Sequence, residues 1–184
     1  HGIPSALLMT TARAILRQRS NLAGDIEQVI SDVNRQLTRD IEESGQFMSL
    51  FYCEIDVPSG YVRWVRAGHD PAIVYDEQTD RFDELKGQGG IPLGVFEDYA
   101  YQEFRQEIAP GQIILIGTDG IWESQNPKKE MFGKEAFKKI IRENAKKPAK
   151  EILAGVIDAL AQFRYPEDQH DDVTLVVIKV EGNA

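Results

Sequence analysis

The spacing of apolar residues changes along this chain from helical to alternating and back, and that order limits the folds open to it. Ile26, Val29, Ile30, Val33, Leu37 and Ile41 recur every three or four residues, as on one face of a helix. The stretch before them, Ser5 to Arg19, sets Leu8, Ala12, Ile15 and Arg19 on one stripe. Pro4 suits the first turn of that helix, since a proline there forfeits no helical hydrogen bond. Asn21 to Gly24 interrupt the pattern, Asp25 is the expected N-cap of the second helix, and Ser44-Gly45 close it near Glu43.

The period then shortens. QFMSLFYCEIDV and YVRWVRAG are rich in aromatic and β-branched residues, and Pro58-Ser59-Gly60 between them is a turn signal, so the pair reads as a hairpin. PAIVYD, AYQEFRQEI and QIILIGT are further strand candidates, the last apolar enough to be central. Two more helices are expected, at about Lys134 to Asn144 and from Pro148 onward, the second with Ile152, Leu153, Val156, Ile157, Leu160 and Phe163 on one face. VTLVVIKV is the closing strand. Strands in a block with helices kept apart from them predict an α+β layered sandwich in one domain, rather than alternating βαβ units.

Composition excludes several classes. A net charge of -9 argues against nucleic acid and anionic membrane as partners, and is compatible with binding a divalent cation. No apolar run is long enough to span a bilayer, and no signal peptide is visible. A single cysteine, Cys53, rules out an intrachain disulfide and points to a reducing, cytoplasmic setting; it reads as a structural thiol in a strand. The glycine-rich run at Gly87 to Gly94 lacks the Lys-Ser/Thr of a phosphate-binding loop and is given no nucleotide role. The chain begins at His1 with Ile3 to Ala6 already entering a helix, so it reads as a fragment.

The candidate chemistry lies in acids at strand ends. Asp119-Gly120 follows the apolar run QIILIGT, and two readings stand side by side. Asp-Gly is a strong hairpin signal, which would fold QIILIGT back on IWESQ. The same aspartate could instead be held at the strand end for chemistry. Asp171 and Asp172 stand at the mouth of the last strand, either as a solvated loop or as partners of Asp119 if the two strands are neighbours. Converging carboxylates repel unless a cation bridges them, and hard oxygen ligands suit Mg²⁺ or Mn²⁺. Glu123, Asn126 and His69 read as residues that order loops, and His170 as a loop residue.

Four stretches taken in order, HGIPSALLM, AGHDPAIVY, TDGIWESQNP and DDVTLVV, resemble the metal-dependent serine/threonine phosphatases related to protein phosphatase 2C. The similarity is greatest to the bacterial branch that includes the sporulation stage II E phosphatase and the sigma-factor regulator phosphatases. It extends through GGIPLGVFEDYAY and PGQIILIGTDG over essentially the whole chain. The resemblance implies two antiparallel β-sheets packed face to face, with helices on both outer faces. It implies that Asp119 and Asp171 are metal ligands, with Asp172 a neighbour that supports them, around two Mn²⁺ or Mg²⁺ ions. The family's Asp-containing segment before Gly-His-Gly is represented here only by His1-Gly2, so the N-terminal strands and their acidic ligands are expected to lie outside this chain.

As to function, the resemblance implies hydrolysis of phosphoserine or phosphothreonine on a small phosphorylated regulator, such as an anti-sigma-factor antagonist. An N-terminal sensor or receiver domain would regulate it, and a homodimer is compatible with that arrangement. Two other readings remain at this point. One is a non-catalytic module that keeps the fold and binds a partner; the other is a phosphohydrolase of small molecules.

Overall fold

The computed structural model describes residues 2–22, 24–41, 45–166 and 172–182. They form two compact units, each built on one antiparallel sheet.

The first unit comprises residues 1–71 and 86–107. Its helices are α1 (Gly2–Arg19) and α2 (Ile26–Ile41), and its strands are β1 (Leu50–Asp56), β2 (Tyr61–Ala67) and β5 (Phe104–Glu107), in the order β1-β2-β5. The expected hairpin is present, with Asp56 opposite Tyr61 and Leu50 opposite Ala67. Gly60 makes its turn with φ of 68°, a left-handed conformation that glycine adopts without steric cost. The helical stripes are also as read: Leu8, Ala12 and Ile15 of α1 pack with Ile26, Val29, Ile30, Val33 and Leu37 of α2, over Val65 and Ala67 of β2. Burying each such aliphatic side chain contributes about 1.5–3 kcal/mol relative to leaving it in water. Arg19, at the end of the α1 stripe, binds Asp32 of α2 at 2.6 Å. The strand expected across AYQEFRQEI shortens to Phe104–Glu107, because only these residues find partners on β2. The expected end of α2 near Glu43 and Ser44 lies outside the described residues.

The second unit comprises residues 72–85 and 108–184. Its sheet runs β4-β3-β6-β7, from β3 (Ala72–Asp76), β4 (Arg81–Leu85), β6 (Gln112–Gly117) and β7 (Leu175–Lys179). Helices α3 (Gly133–Asn144) and α4 (Ala149–Arg164) pack Phe137, Ile141, Ile152, Val156 and Leu160 over Ile73, Tyr75, Ile113 and Leu115. Strand β6 is held on both sides, by β3 and by β7, and buries Ile113, Ile114 and Leu115 in succession. Burial of both faces is why its sequence is an unbroken apolar run without alternation. On α4 one expectation fails: Ile157 is 42% exposed, at the margin of the face that Ile152, Val156 and Leu160 bury. The α+β class, with two antiparallel sheets and helices beside them, is as expected.

Candidate functional site at the end of β6

The neighbouring strands β6 and β7 bring the two acidic motifs to the same end of one sheet. Gly117 stands opposite Leu175. Beyond the strands, the Thr118 amide donates to the Thr174 carbonyl (3.1 Å), and the Thr174 amide donates to Thr118 Oγ1 (3.1 Å). Both edges of β6 are thus occupied, so it has no free side on which IWESQ could pair, and the hairpin reading of Asp119-Gly120 fails. The chain instead closes a single helix-like turn. The Ile121 amide donates to Thr118 O (3.1 Å), the Glu123 amide to Asp119 O (2.9 Å) and Ser124 Oγ to Gly120 O (2.6 Å).

Gly120 is required for a reason the sequence does not show. A Cβ at this position would lie 2.3 Å from the carbonyl oxygen of Asp172, inside any permitted contact. Gly120 is absent from the set of glycines with positive φ, so it serves close approach of two chain segments rather than an unusual turn conformation. The backbone at Asp172 is therefore pressed directly against the turn that carries Asp119.

The Asp119 side chain is exposed, and among the described residues its carboxylate accepts one bond, from the adjacent Gly120 amide at 3.0 Å. The turn is already closed by backbone groups and Ser124, so it does not consume this carboxylate. Asp172 is exposed as well. Asp171 and His170 lie outside the described residues. Among the described residues no three acidic, histidine or cysteine side chains cluster as a metal centre. Asp119 thus fits a hard divalent cation in donor chemistry, and supplies one oxygen-bearing side chain toward it.

The chain after this turn forms the hairpin that the sequence signal misplaced. The Gly133 amide donates to Trp122 O (2.9 Å), the Phe132 amide to Ser124 O (2.8 Å) and the Asn126 amide to Glu130 O (3.0 Å), with Gln125 bridging Met131. Asn126 orders the tip, as expected of it: its Oδ1 accepts from the Lys128 (2.9 Å) and Glu130 (3.0 Å) amides, and its Nδ2 donates to Glu130 Oε2 (2.7 Å). Lys129 takes φ of 65° there.

In the first unit, the His69 carbonyl accepts two bonds from Arg66, from Nε at 2.9 Å and Nη2 at 2.7 Å, while Arg66 Nη1 donates to Lys86 O at 3.0 Å. Arg66 thus staples the AGHD loop to Lys86, at the entry of the glycine-rich loop, a role sequence reasoning did not assign to it. Gly90 of that loop sits where a Cβ would be 2.5 Å from the Arg66 carbonyl, which explains its glycine without a nucleotide. Burial, with Glu54 next to it, pushes the Cys53 thiol above its ordinary range, as suits a structural thiol and not a nucleophile.

The profile of the stage II sporulation protein E (SpoIIE) family matches residues 1–181. The chain belongs to that family. Phosphoserine phosphatase RsbU of Bacillus subtilis (strain 168) is 26% identical over 97% of this chain, which spans only 52% of RsbU. Among solved structures, the SiaA-PP2C domain of Pseudomonas aeruginosa superimposes with a TM-score of 0.83 at 23% identity, covering 98% of this chain and 72% of that one. The manganese-presoaked phosphatase domain of SpoIIE from Bacillus subtilis does so with a TM-score of 0.61 at 15% identity, covering 94% and 74%. These likenesses show that the SpoIIE-family chain has the PP2C-type fold. No helix among the described residues is long and apolar enough to cross a membrane.

Proposed function

We propose that this SpoIIE-family chain is a metal-dependent protein serine/threonine phosphatase domain of a bacterial signalling protein. The observation that carries the reading is the exposed Asp119 carboxylate, held past a strand end in a turn that takes only its bond from the adjacent Gly120 amide, with the Asp172 backbone packed against that turn. Family membership and the phosphoserine phosphatase relative support the same reading. Asp119 and Asp171 would hold Mn²⁺ or Mg²⁺, two ions in the intact site, and Asp172 would support them. When bound, the metal supplies an activated water and stabilises charge on phosphoryl oxygens. The residues of this chain act by position. Thr118 ties the β6 terminus to Thr174, Gly120 admits the Asp172 backbone, and Ser124 locks the turn, so that Asp119 is presented at the strand end.

Both units are read as parts of one phosphatase domain, since the family match runs through both. The substrate is proposed to be a small phosphorylated regulator in the cytoplasm, with an N-terminal sensor or receiver domain controlling activity and a homodimer as the assembly. The test uses the full-length protein and a phosphoserine peptide. Mn²⁺-dependent phosphate release is expected, and Asp119→Asn should lower it by about a hundredfold or more while changing stability by less than about 0.5 kcal/mol. Absence of metal-dependent release, or full activity in Asp119→Asn, would refute the proposal.

A further inference from the structure

The turn at Asp119 leads directly into the most basic stretch of an acidic chain. Residues 126–150 hold nine Lys and Arg against three Glu, within a sequence of net charge -9. Structure places this excess on the outside. Helix α3 buries Phe137 and Ile141, and leaves Lys139, Arg142, Lys146 and Lys147 exposed along and just beyond its length of roughly 18 Å. Local acids compensate only part of the charge. Glu135 pairs with Lys138 at 2.9 Å, Glu143 stands 3.9 Å from Lys139, and Asp80 holds Arg142 at 2.6 Å. Lys128, Lys129, Lys146, Lys147 and Lys150 form no ion pair among the described residues.

The near end of this band is physically joined to the candidate site. Ser124, whose hydroxyl closes the Asp119 turn, is also a rung of the hairpin ladder that runs from Trp122 to Asn126. Two residues at strand rise put the tip about 7 Å beyond that point. Asn126 fixes the backbone that carries Lys128 and Lys129, and Lys129 is held in a left-handed conformation unusual for a side chain of its type. Two cations without an ion pair among the described residues are thus displayed, beside Glu130, on a hydrogen-bonded hairpin rooted next to Asp119.

We propose that the hairpin tip and the exposed side of α3 form a docking surface for acidic side chains flanking the phosphoserine of the protein substrate, an inference that rests on the phosphatase reading above. A phosphoserine with acidic neighbours concentrates several negative charges. The acidic remainder of the chain repels such a partner, and the band attracts it, so the contrast orients the partner with its phosphoryl group toward the β6 terminus.

The experiment uses the full-length protein with three substrates: a phosphoserine peptide flanked by aspartates, the same peptide flanked by lysines, and p-nitrophenyl phosphate. The exposed-site variant K128E/K129E should raise KM for the aspartate-flanked peptide about tenfold at low salt. That difference should shrink toward parity near 0.5 M salt, where the screening length is roughly 4 Å, and the lysine-flanked peptide should improve. Turnover of p-nitrophenyl phosphate should not change. K146E/K147E, at the far end of α3, should raise KM by a smaller factor of about three. Fluorescence anisotropy with an unphosphorylated aspartate-rich peptide provides a readout free of catalysis, and K128E/K129E should abolish its binding. Unchanged KM and anisotropy, a parallel loss of p-nitrophenyl phosphate turnover, or tighter binding of duplex DNA than of the peptide would overturn the docking surface. Peptide binding by a wild-type protein that hydrolyses none of the substrates would instead overturn the phosphatase reading and leave the docking surface standing.

Discussion

Asp56, Asp76 and Asp119 each end or follow a strand in this protein, and they are used in two different ways. Asp56 ends β1 and Asp76 ends β3, each leading into a tight turn to the next strand. Asp56 spends its carboxylate on Ser59, accepting from its hydroxyl at 2.6 Å and its amide at 3.4 Å. Asp76 accepts from the Gln78 and Thr79 amides, at 2.9 and 3.0 Å, and from Gln112 Nε2 at 3.1 Å. Asp119, just past β6, accepts only from Gly120 among the described residues. In the first two turns the carboxylate ties down residues two or three positions ahead, at Asp56 in addition to the backbone bond from the Gly60 amide to Asp56 O (2.9 Å). In the third the backbone and Ser124 close the turn, and the carboxylate reaches no residue beyond the adjacent Gly120 amide among the described residues. The difference separates a residue that builds structure from one available for chemistry, though the residue type and its place after a strand are the same.

The contrast can be broken most severely at its glycines. Gly120→Ala should cost about 3 kcal/mol, because the new methyl group meets a backbone carbonyl that cannot rotate aside. Urea denaturation would read the loss, and phosphatase activity should fall with it as β7 is pushed from β6. Stability within about 0.5 kcal/mol of wild type would show that the two segments separate freely. Gly60→Ala at the β1–β2 turn should cost less, about 1–2 kcal/mol, since it strains a left-handed φ of 68°. Activity per folded molecule should be unaffected there, and a catalytic defect would mean that the two turns are not independent.

The smallest effect is expected from acid. Bonds from Gln112 and from the Thr79 amide hold the Asp76 carboxyl below its ordinary value of 3.8. A carboxyl lowered in the folded state contributes stability that is present above the unfolded value and lost as pH falls below it, through the folded value. Denaturation curves of wild type should therefore weaken below about pH 4, and Asp76→Asn should flatten that decline. An identical acid profile in the variant would remove Asp76 from the structural pair.

Some elements were readable without the fold, and the reasons are local. The stripes of α1 and α2 and the β1–β2 hairpin depend on residues within a few positions of one another, so spacing alone reveals them. Strand β4 did not announce itself. Arg81, Asp83 and Glu84 dominate its five residues, and it forms an edge whose outward positions are charged. The basic band was present in the sequence as a run of lysines, but only the packing of Phe137 and Ile141 shows that it faces outward. Asn126 could be read as a loop-ordering residue because its bonds reach only to residues 128 and 130. Arg66 could not, since its partners, His69 and Lys86, belong to loops that meet only after folding.

By itself the sequence determined the α+β class, the helix faces, the one unambiguous hairpin, and the four motifs that resemble the phosphatase family. It left Asp119-Gly120 suspended between a hairpin and a site. Tertiary structure decided that question, because the answer depends on the strands beside β6 and not on the residues next in the chain. Thr118 bonds to residues more than fifty positions away, and β3 occupies the opposite edge. A dipeptide carries turn preference in its own dihedral angles, whereas strand neighbours are chosen by burial over the whole sheet. That choice left no edge for a hairpin, brought the Asp172 carbonyl against Gly120, and left the exposed Asp119 carboxylate with one bond, from the adjacent Gly120 amide, among the described residues.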